Sequence, residues 1–150
     1  MASAISKATY QIKIRTKAMT NVKNHSLLSD FDVNLFKGGK LSRAYRFLGS
    51  HMVEREGEWG VHFAVWAPSA RGVSVKGNFN GWNPTSHPLF PRWDGSGIWE
   101  GFIPGLGKGE LYKYHVLSAD GRQLEKGDPF ALFWEIPPNT ASIVWDLKFE

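Results

Sequence analysis

From residue 57 onward, apolar and polar positions alternate along the chain. Val61, Phe63 and Val65 form one side of such an alternation, and Val73 and Val75 begin the next one. A period of two is typical of a β-strand that buries one of its faces. Turn-forming residues separate the successive runs, so the pattern predicts short strands joined by tight turns.

The turns recur at short intervals over the same region. Signals rich in Gly, Pro, Asp and Ser fall at residues 68–70, 93–97, 104–109 and 120–121. The last of them, Asp120-Gly121, is typical of a β-hairpin. Six or seven short strands at this spacing indicate an all-β fold, an immunoglobulin-like antiparallel β-sandwich, which we place at residues 52–150.

Between residues 26 and 51 the apolar spacing changes to three and four. Ser29 stands where a helix N-cap is expected, and Gly38-Gly39 interrupts the pattern. The apolar positions on the two sides of this interruption are Leu27, Leu28, Phe31, Leu35, Leu41, Tyr45 and Leu48. We therefore expect residues 26–51 to form a short helical lead-in, made of two helices, to the sandwich.

The N-terminal third is strongly basic. Residues 1–48 hold nine Lys and Arg against Asp30 and Asp32, a formal charge of +7, whereas residues 49–150 carry −3. Residues 1–25 are interpreted as a flexible basic tail, and a transit peptide is the alternative. A nucleic-acid-binding surface interleaves basic residues with exposed aromatics. The segregation of the two in this chain argues against a nucleic-acid partner.

The amino-acid composition bears on the cellular location of the protein and on the chemistry that it can perform. The chain has no cysteine and no apolar run long enough to span a membrane, which predicts a cytoplasmic protein without a membrane partner. The five histidines are scattered, without the spacing of a metal site. The acidic residues have the distribution of solvated charges. We therefore expect no catalytic residue, no metal and no cofactor.

The tryptophans offer a different chemistry. Sugar recognition needs a flat apolar face together with amide or ammonium groups. Trp82 can supply the face, Asn80 an amide and Lys113 an ammonium group. In the alternative interpretation, Asn80 serves the turn and Lys113 is an ordinary outward strand residue. Burial is left open for Trp82 and Trp93, whereas core or sheet-face positions are expected for Trp59, Trp66, Trp99 and Trp145.

Several runs together resemble bacterial 1,4-α-glucan branching enzymes. They are Leu48-Gly49-Ser50-His51, Gly60-Val61-His62-Phe63-Ala64-Val65-Trp66-Ala67-Pro68, Gly77-Asn78-Phe79-Asn80-Gly81-Trp82, Trp99-Glu100-Gly101-Phe102-Ile103-Pro104-Gly105 and Asp128-Pro129-Phe130-Ala131. The resemblance covers residues 26–147 in order. It implies a non-catalytic N-terminal β-sandwich, a carbohydrate-binding module of family 48, in a glycogen branching enzyme. The expected partners are α-glucan, bound weakly, and the catalytic (β/α)8 barrel of the same polypeptide, which carries the catalytic carboxylates.

The resemblance also bears on the sugar site. Related glycogen-binding modules use a Trp, a Lys and a Thr that match Trp82, Lys113 and Thr140. Their second stacking Trp has no counterpart, because Arg122-Gln123-Leu124 follows the Asp-Gly turn. Asn80, chosen for its amide and not for the resemblance, is the fourth residue of the predicted carbohydrate-binding set. Because the platform is incomplete, a purely structural scaffold without sugar binding remains the alternative function.

Overall fold

The alternating runs form two antiparallel sheets. The computed structural model describes residues 21–39, 46–131 and 133–145. The strands are β1 (Gly49–Arg55), β2 (Glu58–Trp66), β3 (Ala70–Gly77), β4 (Phe90–Pro91), β5 (Ile98–Pro104), β6 (Leu111–Ser118), β7 (Gln123–Lys126), β8 (Phe133–Trp134) and β9 (Ser142–Ile143). The predicted all-β sandwich is confirmed.

The first sheet has the strand order β1-β2-β5-β4, and the second has the order β3-β6-β9-β8 with β7 also paired to β6. Strand β6 is central to the second sheet. It pairs with β3 along one edge. Along its other edge it pairs first with β9 and then, further along the strand, with β7. The β6–β7 hairpin forms at the predicted Asp120-Gly121 turn, where Gly121 has a φ of 87°.

The inward faces of the two sheets make the main core. Phe63 of β2 meets Tyr112 of β6 edge to face, with 5.0 Å between the ring centroids. Val61, Val75 and Val144 around this pair are fully buried. The alternation of the sequence therefore predicts the core-facing residues correctly, because every second side chain of these strands points between the sheets.

The outer face of the first sheet is covered by the lead-in. Helix α1 (Asp30–Lys37) begins at a capping box in which Ser29 accepts a hydrogen bond from the Asp32 backbone N–H. Its Phe36 packs with Phe47, Leu48, Ala64 and Ile98 in a second apolar cluster. Strand β2 is consequently buried on both faces. No helix among the described residues is long and apolar enough to cross a membrane.

The boundaries of the lead-in in the structure differ from the predicted ones at both ends. Strand β1 already begins at Gly49, inside the segment expected to be helical, and residues 40–45, where most of the second predicted helix falls, lie outside the described residues. Residues 1–20 of the predicted tail also lie outside them. Val22 is only 1% exposed, and the Lys23 N–H donates to the Phe102 carbonyl oxygen at 2.8 Å. The predicted tail boundary at residue 25 is therefore too late.

The tryptophans expected in the core or on the sheet faces differ in their burial. Trp59, Trp66 and Trp145 are 60%, 55% and 41% exposed, whereas Trp99 is half-buried. Trp66 lies at the end of β2, where its ring meets Phe36 edge to face and the cover given by α1 stops. The alternation indicates which face of a strand a residue occupies, but not how far the covering layer extends.

Candidate functional site

Trp82 sits in a tight loop directly after β3. Residues Asn78–Asn80 form a 3-10 turn, and the Trp82 N–H donates to the Gly77 carbonyl oxygen at 2.9 Å. Trp82 has a φ of 60°, in the left-handed region that non-glycine residues rarely adopt. Such a conformation costs about 1–3 kcal/mol and persists only where the surroundings impose it. The loop therefore fixes the backbone of Trp82 at an unfavourable angle.

The Asn80 amide is the group that organises this loop. Its oxygen accepts from the Gly77 N–H at 3.0 Å, and its nitrogen donates to the Val75 carbonyl oxygen and to the Ser86 hydroxyl, both at 3.1 Å. These partners lie within the loop and β3. Because these bonds occupy the Asn80 amide, the structure favours a supporting role in the loop over the predicted direct contact with a sugar.

The indole of Trp82 is held in the same way. Its Nε1–H donates to the Asn78 side-chain oxygen at 2.9 Å, and the residue is half-buried. Because the polar atom of the ring has its partner inside the loop, the exposed part of the indole is its apolar surface. This arrangement offers a stacking surface whose orientation is set in advance.

The structure brings Trp82, Lys113 and Thr140 together. They line one open groove of about 390 Å³, here called the Trp82 groove, together with Glu125, Glu135, Pro138 and Asn139. The residues come from three separate parts of the chain: the loop after β3, the β6–β7 hairpin and the segment between β8 and β9. Glu125, Glu135 and Asn139 were missed by the sequence analysis.

Glu125 lies between two lysines. Its Oε1 is 2.6 Å from the Lys76 Nζ, and its Oε2 is 3.5 Å from the Lys113 Nζ. The hydrogen bond from Lys76 lowers the pKa of Glu125, which keeps the carboxylate ionised. The pairing of Glu125 with His115 puts it on the face of β6 that carries Lys113. Counting the hairpin register past Asp120-Gly121 would have revealed this position.

The remaining wall of the groove is a turn between β8 and β9. The Glu135 N–H donates to the Ala141 carbonyl oxygen at 2.9 Å, and the Ala141 N–H donates to the Glu135 carboxylate at 3.2 Å. These two bonds close the turn that presents Asn139 and Thr140. Thr140 is exposed and lines the groove.

A buried carboxylate anchors the strands beneath this wall. Asp128 accepts hydrogen bonds from the hydroxyls of Tyr112 and Tyr114 at 2.5 and 3.3 Å, and its backbone N–H donates to the Ser142 hydroxyl at 2.9 Å. Burial raises the pKa of Asp128, while the hydrogen bond from Tyr112 opposes that rise. The network ties β6 to β9 and so fixes Thr140 relative to Lys113.

A second surface of the chain is apolar. Two adjoining clefts of about 720 and 510 Å³ both include Trp66 and Pro129 in their walls; Trp134 lines the larger cleft and Phe130 the smaller one. We call Trp66, Pro129, Phe130 and Trp134 the apolar trough. Trp134 is 46% exposed, and its ring lies against Gly127, where any side chain would collide with it.

Comparison with known proteins identifies the family of this fold. Residues 47–131 match the family described as carbohydrate-binding module 48 (isoamylase N-terminal domain). The 1,4-alpha-glucan branching enzyme GlgB of Desulfitobacterium hafniense is 47% identical over 84% of this chain and 20% of that enzyme. The enzyme of the same name from Rubrobacter xylanophilus is 52% identical over 81% of this chain and 17% of the enzyme. The chain thus spans about a fifth of the length of these curated relatives.

Solved structures agree with the assignment. A Klebsiella pneumoniae pullulanase complexed with maltotriose aligns with a TM-score of 0.53 and 27% identity, over 66% of this chain and 9% of that one. The Paenibacillus barengoltzii pullulanase, with a TM-score of 0.52 and 18% identity over 75% of this chain and 18% of that one, shares the fold alone. The matched module thus occurs in branching enzymes and pullulanases, and this chain belongs to the carbohydrate-binding module 48 family.

Proposed function

We propose that this chain is a non-catalytic module of a 1,4-α-glucan branching enzyme and that it contacts α-1,4-linked glucan through the Trp82 groove. The observation that carries the proposal is the assembly of Trp82, Lys113 and Thr140, from three separate parts of the chain, in one groove. The name of the curated relatives supplies the class of substrate. The catalytic residues of the parent enzyme belong to its catalytic barrel, and none is assigned to this chain.

Each groove residue has a distinct task in this proposal. The indole of Trp82 stacks on the C–H face of a glucose ring, and the Lys113 ammonium donates to sugar hydroxyls. The Thr140 hydroxyl and the Asn139 amide lie at the rim, where they can both donate and accept. Asn80 acts indirectly, by holding the loop. A single exposed polar contact contributes about 1 kcal/mol, so we expect weak binding, with a Kd of about 1 mM.

Native electrophoresis in gels with and without glycogen tests this proposal. Glycogen should retard the wild-type chain, and the Trp82→Ala variant should migrate as it does in a gel without glycogen. Trp93→Ala is the matched control, since Trp93 is 84% exposed and does not line the groove. Absence of retardation, or equal retardation of wild type and Trp82→Ala, would contradict sugar binding at this groove.

The apolar trough favours a second function for the same module. Aromatic side chains that remain exposed around a pair of apolar clefts are typical of a surface that docks another protein part. We infer that the trough packs against the catalytic barrel of the parent enzyme and orients it. The purely structural alternative retains this role and lacks the sugar contact.

Self-association of the isolated chain tests the docking role. An uncovered trough should make the chain associate with itself at high concentration, as measured by sedimentation equilibrium, and Trp134→Ser should reduce the association. Ile136→Ser is the control, because Ile136 is 85% exposed but lines neither cleft. A strictly monomeric wild-type chain, or equal effects of the two variants, would argue against docking at the trough.

A further inference from the structure

Two lysines stand side by side next to the Trp82 groove. Lys76 of β3 and Lys113 of β6 are direct partners in the strand register, and their side chains are only 14% and 19% exposed. Like charges that face each other across a sheet repel, and partial burial strengthens the repulsion. The pair therefore needs a counter-charge, which Glu125 supplies with one carboxylate oxygen for each lysine.

Glu125 has capacity left after binding the lysines. Its side chain is 46% exposed and lines the groove itself. An ionised carboxylate offers about four lone-pair sites, and each oxygen uses one of them for a lysine. Because Glu125 lines the groove, its remaining sites can accept hydrogen bonds from the hydroxyl groups of a sugar bound there. Glu125 can thus hold Lys113 and accept from the sugar at the same time.

The carboxylate also sets the charge of the groove. Lys76 and Lys113 bring two positive charges to this region, and Glu125 and Glu135 bring two negative ones. The net charge of these four groups is zero with Glu125 present and positive without it. A neutral glucan does not respond to this sum, whereas a glucan that carries phosphate groups does.

On the basis of the proposed function, we propose that Glu125 is a specificity-determining residue of the Trp82 groove. It accepts hydroxyl groups of a neutral α-glucan and fixes Lys113 in position for the same ligand. By cancelling the charge of the lysine pair, it disfavours anionic, phosphorylated glucan.

Binding of two probes to Glu125→Gln tests the assignment. Maltoheptaose is the neutral probe, and maltoheptaose with a phosphate ester at one glucose C6 is the anionic probe. The variant should bind the neutral probe about five- to tenfold more weakly, because one charged acceptor is lost. It should bind the anionic probe about fivefold more tightly at low salt, and this gain should vanish at 1 M salt.

Two further variants separate charge from structure. Glu125→Asp keeps the negative charge and should retain the discrimination against phosphate. Glu58→Gln is the matched control, since Glu58 pairs with Lys23 at 3.3 Å with 54% of its side chain exposed, away from the groove. It should bind both probes as the wild type does.

The outcomes are distinguishable when titrations of the two probes are read together with the circular dichroism of each variant. Opposite changes in the two affinities of Glu125→Gln support the proposal. Equal affinities of Glu125→Gln and wild type for both probes, or a parallel loss of affinity for both, overturn it. If Trp82→Ala still abolishes binding in that case, the proposed sugar contact stands. A wild-type chain that binds neither probe overturns the proposed sugar contact and this inference with it.

Discussion

The stability of the chain should fall on mild acidification because of His62. This residue lies on β2 and is fully buried, with its Nε2 2.9 Å from the His25 carbonyl oxygen. Its ring meets the His25 ring edge to face at 5.4 Å, and its Nδ1 has no hydrogen-bond partner among the described residues. Burial lowers the pKa of His62 from 6.5 to about 4; the hydrogen bond with the His25 carbonyl oxygen opposes this shift, and the charges of His25, His51 and Arg55 add to it.

The sign and size of the effect follow from that pKa. Between about pH 6.5 and 4 the unfolded chain binds a proton at His62 and the folded chain does not, so stability falls as the pH decreases. One pKa unit corresponds to about 1.4 kcal/mol, so the free energy of unfolding should lose about 3 kcal/mol by pH 4. Above pH 7 the contribution should be constant, because His62 is neutral in both states.

Urea denaturation of wild type and His62→Gln between pH 4 and 7.5 measures this loss. The glutamine keeps a donor for the His25 carbonyl oxygen and does not titrate. Titrations common to both proteins cancel in the difference between their unfolding free energies. That difference should change by about 3 kcal/mol over the range. A difference independent of pH would refute the argument that His62 is buried in its neutral form.

Three substitutions test contacts that hold the sandwich together, each by chemical denaturation. Arg92→Met should destabilise the chain by about 3–5 kcal/mol, because it leaves the buried carboxylates of Asp94 and Glu100 without their shared cation. Phe63→Ala should cost about 3–5 kcal/mol as a cavity opens in the main core. Gly60→Ala should cost about 1–3 kcal/mol, because its methyl group would collide with the backbone of the neighbouring strand β5. Loss of less than about 1 kcal/mol in any of them would contradict the corresponding contact.

The sequence was sufficient for the sandwich and insufficient for its outer layer. Period-two runs such as Val61 to Val65 determine which side chains point between the sheets, and Asp120-Gly121 determines the hairpin. The burial of Val22 depends on Gly101 of β5, which leaves room for it. Such a long-range fit has no local signal, so the place of Val22 in the core could not be predicted. The exposure of Trp66 could not be predicted for the same reason, because it depends on where the cover given by α1 ends.

For the groove, residue chemistry and the family resemblance together predicted three residues that the structure brings close to one another. Trp82, Lys113 and Thr140 do line one groove. Asn80 does not, since whether an amide serves a turn or a ligand depends on the closeness of Val75 and Ser86. Glu125 was missed because its position follows from the pairing of β7 with β6 and not from a motif. Strand register, and not motif spacing, puts Glu125 on the face of the sheet that carries the two lysines.

Nuclear magnetic resonance of the chain titrated with maltoheptaose tests sugar contact at the Trp82 groove most directly. We expect concentration-dependent shifts of the Trp82 indole N–H and of the Thr140 amide and methyl resonances, saturating in the millimolar range. The indole signals of Trp93 and Trp66 should stay in place. Shifts that concentrate at Trp66 and Trp134, or no shifts at all, would contradict the claim that this groove holds the glucan.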